Sequence, residues 1–202
     1  MSDQEISVLN DEALIAMIDG DGPFTNLDLF KELSDRHWMK SELDIAAEYL
    51  ERLITEYDGK IETGTLANAR YRQALMYFRA EDHEVAYTYA SKGTSQWAAD
   101  HMPEYFYLEW AKCAIVELRS GMELSFISVV PEKAESLLEV SKMLKLNNYI
   151  QMTYMIIAEA YFELEQDIKC EEYLKLAEES DEVDTGTRER LDYFRKEISA
   201  GK

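Results

Sequence analysis

The stretch AEAYFELEQDIKCEEYLKLAEES, residues 158–180, sets Ala158, Tyr161, Cys170, Leu174 and Ala177 at offsets of 3, 12, 16 and 19. The same offsets recur in QALMYFRAEDHEVAYTYASKG, residues 73–93, as Ala74, Tyr77, Ala86, Ala90 and Gly93. A small residue, an aromatic one turn on, and a second set of small or apolar residues at helical spacing describe two antiparallel helices joined by a short turn. Close packing of such a hairpin needs the first helix thin where the second crosses it, so Ala74 and Ala158 are expected to face Ala86 and Cys170. Tyr77 and Tyr161 are expected to fill the neighbouring gap.

A weaker copy fits Ser34, His37, Ala46, Leu50 and Leu53. A third starts at Ala111 and Ala114 and finds Ala134, Leu138 and Ser141 only after eleven additional residues, which reads as an insertion. Between sparse Pro and Gly, 3 and 8 in the whole chain, run segments with apolar residues three and four apart, such as LDLFKELSDRHW, EYFYLEWAKCAIVEL and YMIIAEAYFEL. Each is an amphipathic helix candidate. Only SFISVV, residues 125–130, reads as a short exception to an all-α chain. The expected helix pairs are 26–40 with 43–57, 66–80 with 83–98, 103–120 with 131–146, and 149–165 with 168–180. A shorter helix is expected over 9–18. A last one, near 187–199, has Thr187 as its cap and Leu191, Phe194 and Ile198 as one apolar stripe.

These two sets of offsets resemble the tetratricopeptide repeat (TPR) family, over roughly residues 26–182. The departures are Tyr154 and Arg70 at the family's usual tryptophan position, and Glu182 and Ala98 at its usual proline. The expected fold is therefore an all-α, irregular TPR-like solenoid of antiparallel helix pairs. The division is 1–25 for an N-terminal segment with a short helix, 26–182 for the repeats and 183–202 for a capping helix and tail, since a hairpin cannot bury its second face alone.

With 41 acidic against 21 basic residues the formal net charge is −20, which opposes binding to nucleic acid or anionic membrane surfaces. The start, MSDQEISVLNDEAL, lacks the pattern of a signal peptide, and no stretch approaches the roughly 20 apolar residues of a membrane span. A cytoplasmic location is expected. Cys113 and Cys170 sit beside alanines inside helical patterns and read as small buried groups. His37, His83 and His101 fall in different repeats, and no phosphate loop, nucleophile motif or zinc motif occurs. In DGDG, residues 19–22, Pro23 and Phe30 stand where a calcium loop needs ligands, so the string reads as a helix-ending turn. No enzyme activity, metal or cofactor is expected; a hydrolase without a recognisable motif ranks last among the readings.

The resemblance implies that the first helices of successive pairs line a groove for a peptide or helix of another protein. By position it places Asn68, Tyr71, Leu75, Phe78 and Arg79 there from the second pair. Tyr105, Leu108, Lys112 and Ile115 come from the third, and Met152, Met155, Glu159 and Phe162 from the fourth. This set is mainly aromatic, Met and Leu, so the carboxylate clamp of the family's chaperone-binding members is not expected. An apolar groove flanked by acids suits an amphipathic, partly basic helix or strand. The same residues could instead be covered by the chain itself, through SFISVV or the last helix. The leading function is a non-catalytic interaction module, a scaffold or adaptor; a chaperone holding an aggregation-prone or secreted partner and a peptide-responsive regulatory sensor stand as alternatives. The apolar segment MELSFISVVPE, residues 122–132, is expected to pack over the groove or into a partner.

Overall fold

Apolar periodicity of about 3.6 dominates the chain, and the elements that result are helices. The structure, a computed structural model, describes residues 6–18, 26–57, 63–96, 104–180 and 183–200, with the side chains of 63, 96 and 104–106 outside that description. The DGDG string, His101 and Glu182 also lie outside it. The helices are α1 (Asp11–Met17), α2 (Asn26–Met39), α3 (Leu43–Tyr57), α4 (Thr63–Arg79), α5 (His83–Gln96), α6 (Glu104–Glu123), α7 (Val130–Met143), α8 (Asn147–Glu163), α9 (Asp167–Ser180) and α10 (Thr185–Ala200). Helices α2 to α9 form four consecutive hairpins, and the all-α solenoid of antiparallel pairs expected from the offsets is what the chain adopts.

Each hairpin turns in the same way. Ser41, Glu81, Ser125 and Glu165 adopt φ of 62°, 62°, 63° and 56°, and the next residue's amide reaches back five positions, as in Glu42 N–H to His37 C=O and Gln166 N–H to Tyr161 C=O, both 2.9 Å. These are Schellman turns, which satisfy the last carbonyls of the first helix and reverse the chain in three residues. Lys145, at φ 54°, repeats the turn between α7 and α8.

Measured from its left-handed residue, each hairpin carries the same code. Seven residues before it lie Ser34, Ala74, Leu118 and Ala158; five, nine and twelve after it lie Ala46/Leu50/Leu53, Ala86/Ala90/Gly93, Val130/Ala134/Leu137 and Cys170/Leu174/Ala177, all of them buried. The expected insertion is therefore corrected: the third hairpin has no extra residues in its turn, and its register is Leu118, Gly121, Val130, Ala134, Leu137. Ala111 and Ala114 each stand seven residues, two full turns, too early, and Leu138 and Ser141 belong to the following turn. The misreading has a physical cause, because Leu118 replaces the small residue and Gly121 replaces the aromatic.

The aromatic four residues before the turn stacks on a ring twelve residues later. His37 lies on Tyr49 at 5.5 Å, Tyr77 on Tyr89 at 5.7 Å and Tyr161 on Tyr173 at 5.6 Å. Where Gly121 leaves that place empty, Tyr87 of α5 enters. A Cβ on Gly121 would lie 3.5 Å from the Tyr87 ring, which meets Phe126 edge-on at 5.4 Å and carries the Lys133 ammonium 5.3 Å above it.

SFISVV thus forms a turn and a short 3₁₀ helix, Ile127–Val129, that leads into α7. Its Phe126 packs on the second-helix side, not over the groove, and Ile127 joins the core around Leu118 and Val130. Three apolar clusters follow one another along the chain: α1 to α5 with Val116, then α6 to α8, then α8 to α10. At the first end Arg36 donates to the carbonyls of Ile6, Ser7 and Leu9 and to Asp11, stapling the N-terminal segment to α2. At the other end Leu191 and Phe194 are buried and Ile198 half-buried, as the stripe predicted. The cap of α10 is Asp184, which accepts the Thr187 amide at 2.8 Å; Thr187 itself is inside the helix.

Candidate functional site

Four first-layer elements leave a groove between them. Its cavity, about 620 Å³, is lined by Phe78 of α4, Ile115, Arg119 and Glu123 of α6, Asn148, Gln151, Met152, Met155 and Glu159 of α8, and Thr187 and Arg190 of α10, with Asp184 at the α10 cap. Five of the thirteen expected groove residues come together here: Phe78, Ile115, Met152, Met155 and Glu159. They can, because α6 and α8 present residues three and four apart on one face.

The floor is apolar and the middle is ionic. Glu159 accepts from the Arg119 guanidinium at 2.6 Å and from the Arg190 guanidinium at 2.7 Å on the same oxygen, Oε2. Burial pulls the Arg119 pKa below its usual value, with Glu159 working against that shift. The Arg119–Glu159 pair is the more covered of the two, so removing either of its partners is the costlier change, while the Arg190 side chain is the more exposed.

A second part of the expected set lies nearer the start of α4 and α6. Asn68 donates to Glu109 at 2.9 Å, Lys112 donates to Glu109 at 2.6 Å, and the Lys112 ammonium sits 5.5 Å above the Tyr71 ring. Burial acts most strongly, to lower the Lys112 pKa, but the hydrogen bond and the charge of Glu109, with smaller help from Tyr149 and Tyr71, together leave the pKa raised. Asn68, Tyr71 and Lys112 are thus spent on joining α4 to α6. Leu75 and Leu108 are half-buried, and the exposed Arg79 lies over the Trp38 ring at 5.6 Å. Tyr105 lies among the side chains outside the description. Phe162 is covered by the chain itself: it meets Phe194 of α10 edge-on at 5.1 Å and is 4% exposed.

The ionic centre was not anticipated. Arg119 follows Ile115 by four residues on α6, so extending the Lys112–Ile115 stripe by one turn finds it, whereas Arg190 comes from another element and has no such signal. The expectation of an apolar groove flanked by acids is corrected accordingly, since two guanidiniums enter it beside Glu123, Glu159 and Asp184. Among the described residues no helix is long and apolar enough to cross a membrane.

No protein-family model and no curated protein matches the chain at the level of sequence. Solved structures do match in shape. The apo form of RapI superposes with a TM-score of 0.75 at 18% identity, covering 94% of this chain and 54% of that one. The Rap conjugation gene regulator of the plasmid pLS20, in complex with the Phr* peptide, gives 0.55 at 14% identity over 85% of this chain and 52% of that one. A kinesin light chain from Podospora anserina, with nearly identical TPR-like repeats, gives 0.64 at 12% identity, covering 88% and 90%. The chain thus spans about half the length of the two Rap structures. Hairpins, turns and neighbours agree, and the fold is that of the TPR-like helical repeat proteins.

Proposed function

We propose that the chain is a non-catalytic peptide-binding module, whose groove takes a short segment of a partner protein or a free regulatory peptide. The observation that carries this reading is the cavity at Phe78, Ile115, Met152 and Met155. Its volume falls in the ~300–1,000 Å³ range of ligand sites, and an apolar floor around a few fixed polar groups is their usual lining. Flexible Met side chains adapt to a ligand's apolar residues, while the Arg119–Glu159–Arg190 cluster orients it. The Rap regulator bound to its Phr* peptide supports a peptide as ligand for this fold. The −20 charge favours a partly basic ligand by long-range attraction, and the near balance of acids and arginines inside the groove makes that preference one of encounter.

The test is selection of linear displayed peptides on the immobilised full chain, followed by calorimetric titration of the enriched sequences. Met152→Asp changes an exposed groove residue and Ile115→Ala shortens the floor; each should weaken binding at least tenfold, about 1.4 kcal/mol, with helical content unchanged. Enriched peptides that bind both variants as tightly as the parent would remove the groove from the reading.

A further inference from the structure

We infer that α10 is a movable wall of the groove, undocking as a unit while α2 to α9 stay folded. Only Leu191 and Phe194 of its sixteen residues are buried, against nine of seventeen in α8, and Tyr193 is left 53% exposed. Its two ion pairs, Arg190 with Glu159 and Arg195 with Glu178, use arginines whose side chains are 44% and 37% exposed, and water competes for such pairs.

A second observation is independent of these contacts. Along the edge of the α8–α10 contact runs an open surface hollow of about 410 Å³, lined by Glu159, Phe162 and Glu163 of α8 and by Gly186, Glu189, Arg190, Tyr193 and Phe194 of α10. The α8–α10 seam is therefore open to solvent along one side, whereas α8 meets α9 through fully buried Ala158, Cys170, Leu174 and Ala177. The helix also carries its own cap, with Asp184 accepting both the amide and the hydroxyl of Thr187, so leaving the solenoid costs it no terminal hydrogen bond. A thinly attached, self-capped element is the kind that opens below the global stability of a protein.

The consequence reaches the proposed site and rests on that reading. Asp184, Thr187 and Arg190 leave with α10, opening the groove along one side and freeing Arg119 and Glu159 to face each other alone. Any ligand that touches this wall then favours the docked state, and docking favours the ligand by the same factor.

Hydrogen exchange of the full chain, read by peptide mass, tests the motion without any ligand. Amides of 188–200 should exchange at least tenfold faster than those of α8 and α9. Phe194→Ala and Arg190→Ala should each quicken α10 by a further severalfold and leave α8 and α9 unchanged. Exchange of α10 in step with α8 and α9, or acceleration of all three together in the variants, would show a fixed wall and overturn the inference. So would a fast α10 indifferent to both substitutions, which is fraying. A peptide from the display selection should then slow α10 exchange; a mobile α10 that the peptide leaves unprotected would keep the motion and sink the groove assignment instead.

Discussion

Gly93 stands where no side chain fits: a Cβ there would lie 2.6 Å from the Cys113 sulfur and 3.3 Å from the Arg70 Cβ. Gly121 is also buried, yet a Cβ on it meets only ordinary contacts, the nearest at 3.5 Å on Tyr87. Gly93→Ala should therefore cost about 1–3 kcal/mol through overpacking of the α5–α6 crossing. Gly121→Ala should be neutral or stabilising by up to about 1 kcal/mol, since a helix interior prefers alanine. Chemical denaturation of the two variants checks both signs, and equal effects would mean that the crossing is looser than its distances. At this scale the sequence was readable where chemistry and spacing coincide. Ala74, Ala158, Ala86 and Cys170 are all fully buried as expected, and both cysteines are free, buried thiols whose burial raises their pKa, Cys170 to about 11. It was unreadable where one residue's size was traded for another's, as at Leu118 and Gly121, and where a contact crosses elements, as at Arg190 and Glu159.

Helices announced themselves through periodic apolar faces, and each of the four pairs appears within a few residues of its expected limits. Their ends were harder to place because the usual marker is missing. Ser41, Glu81, Ser125, Lys145 and Glu165 hold the left-handed position that glycine normally fills, and none of them is glycine. A left-handed conformation costs an ordinary residue roughly 1–2 kcal/mol, partly offset by glycine's greater freedom when unfolded. Glu81→Gly and Glu165→Gly should thus raise stability by about 0.5–1 kcal/mol each. Both sites are exposed and far enough apart for the gains to add in the double variant. Thermal melts of the single and double variants measure this, and a lowered midpoint in either would mean that the carboxylate does something at the turn beyond occupying it.

Across the whole molecule the charge excess works against compaction. With 41 acidic and 21 basic residues, a net charge of −20 remains however the ions pair, so self-repulsion should be relieved as salt shortens the range of the field. Raising sodium chloride from 0.02 to 0.5 M, values chosen to take the screening length from roughly 20 Å to a few ångströms, should lift the melting midpoint. A fall would show that the groove's Arg119–Glu159–Arg190 cluster and the Arg36–Asp11 staple outweigh the repulsion. The three apolar clusters divide the solenoid unevenly, and the ring contributed by Tyr87 to the third hairpin bears on how it comes apart. Three hairpins supply both rings of their stack from within, whereas the third borrows one from its predecessor. Its own folding is then contingent on a neighbour already in place, and in a chain of nearest-neighbour couplings the α5–α7 boundary becomes the strong link. Assembly should spread outward from that boundary, and under a pulling force the second and third hairpins should yield together as one step while the first and last detach alone.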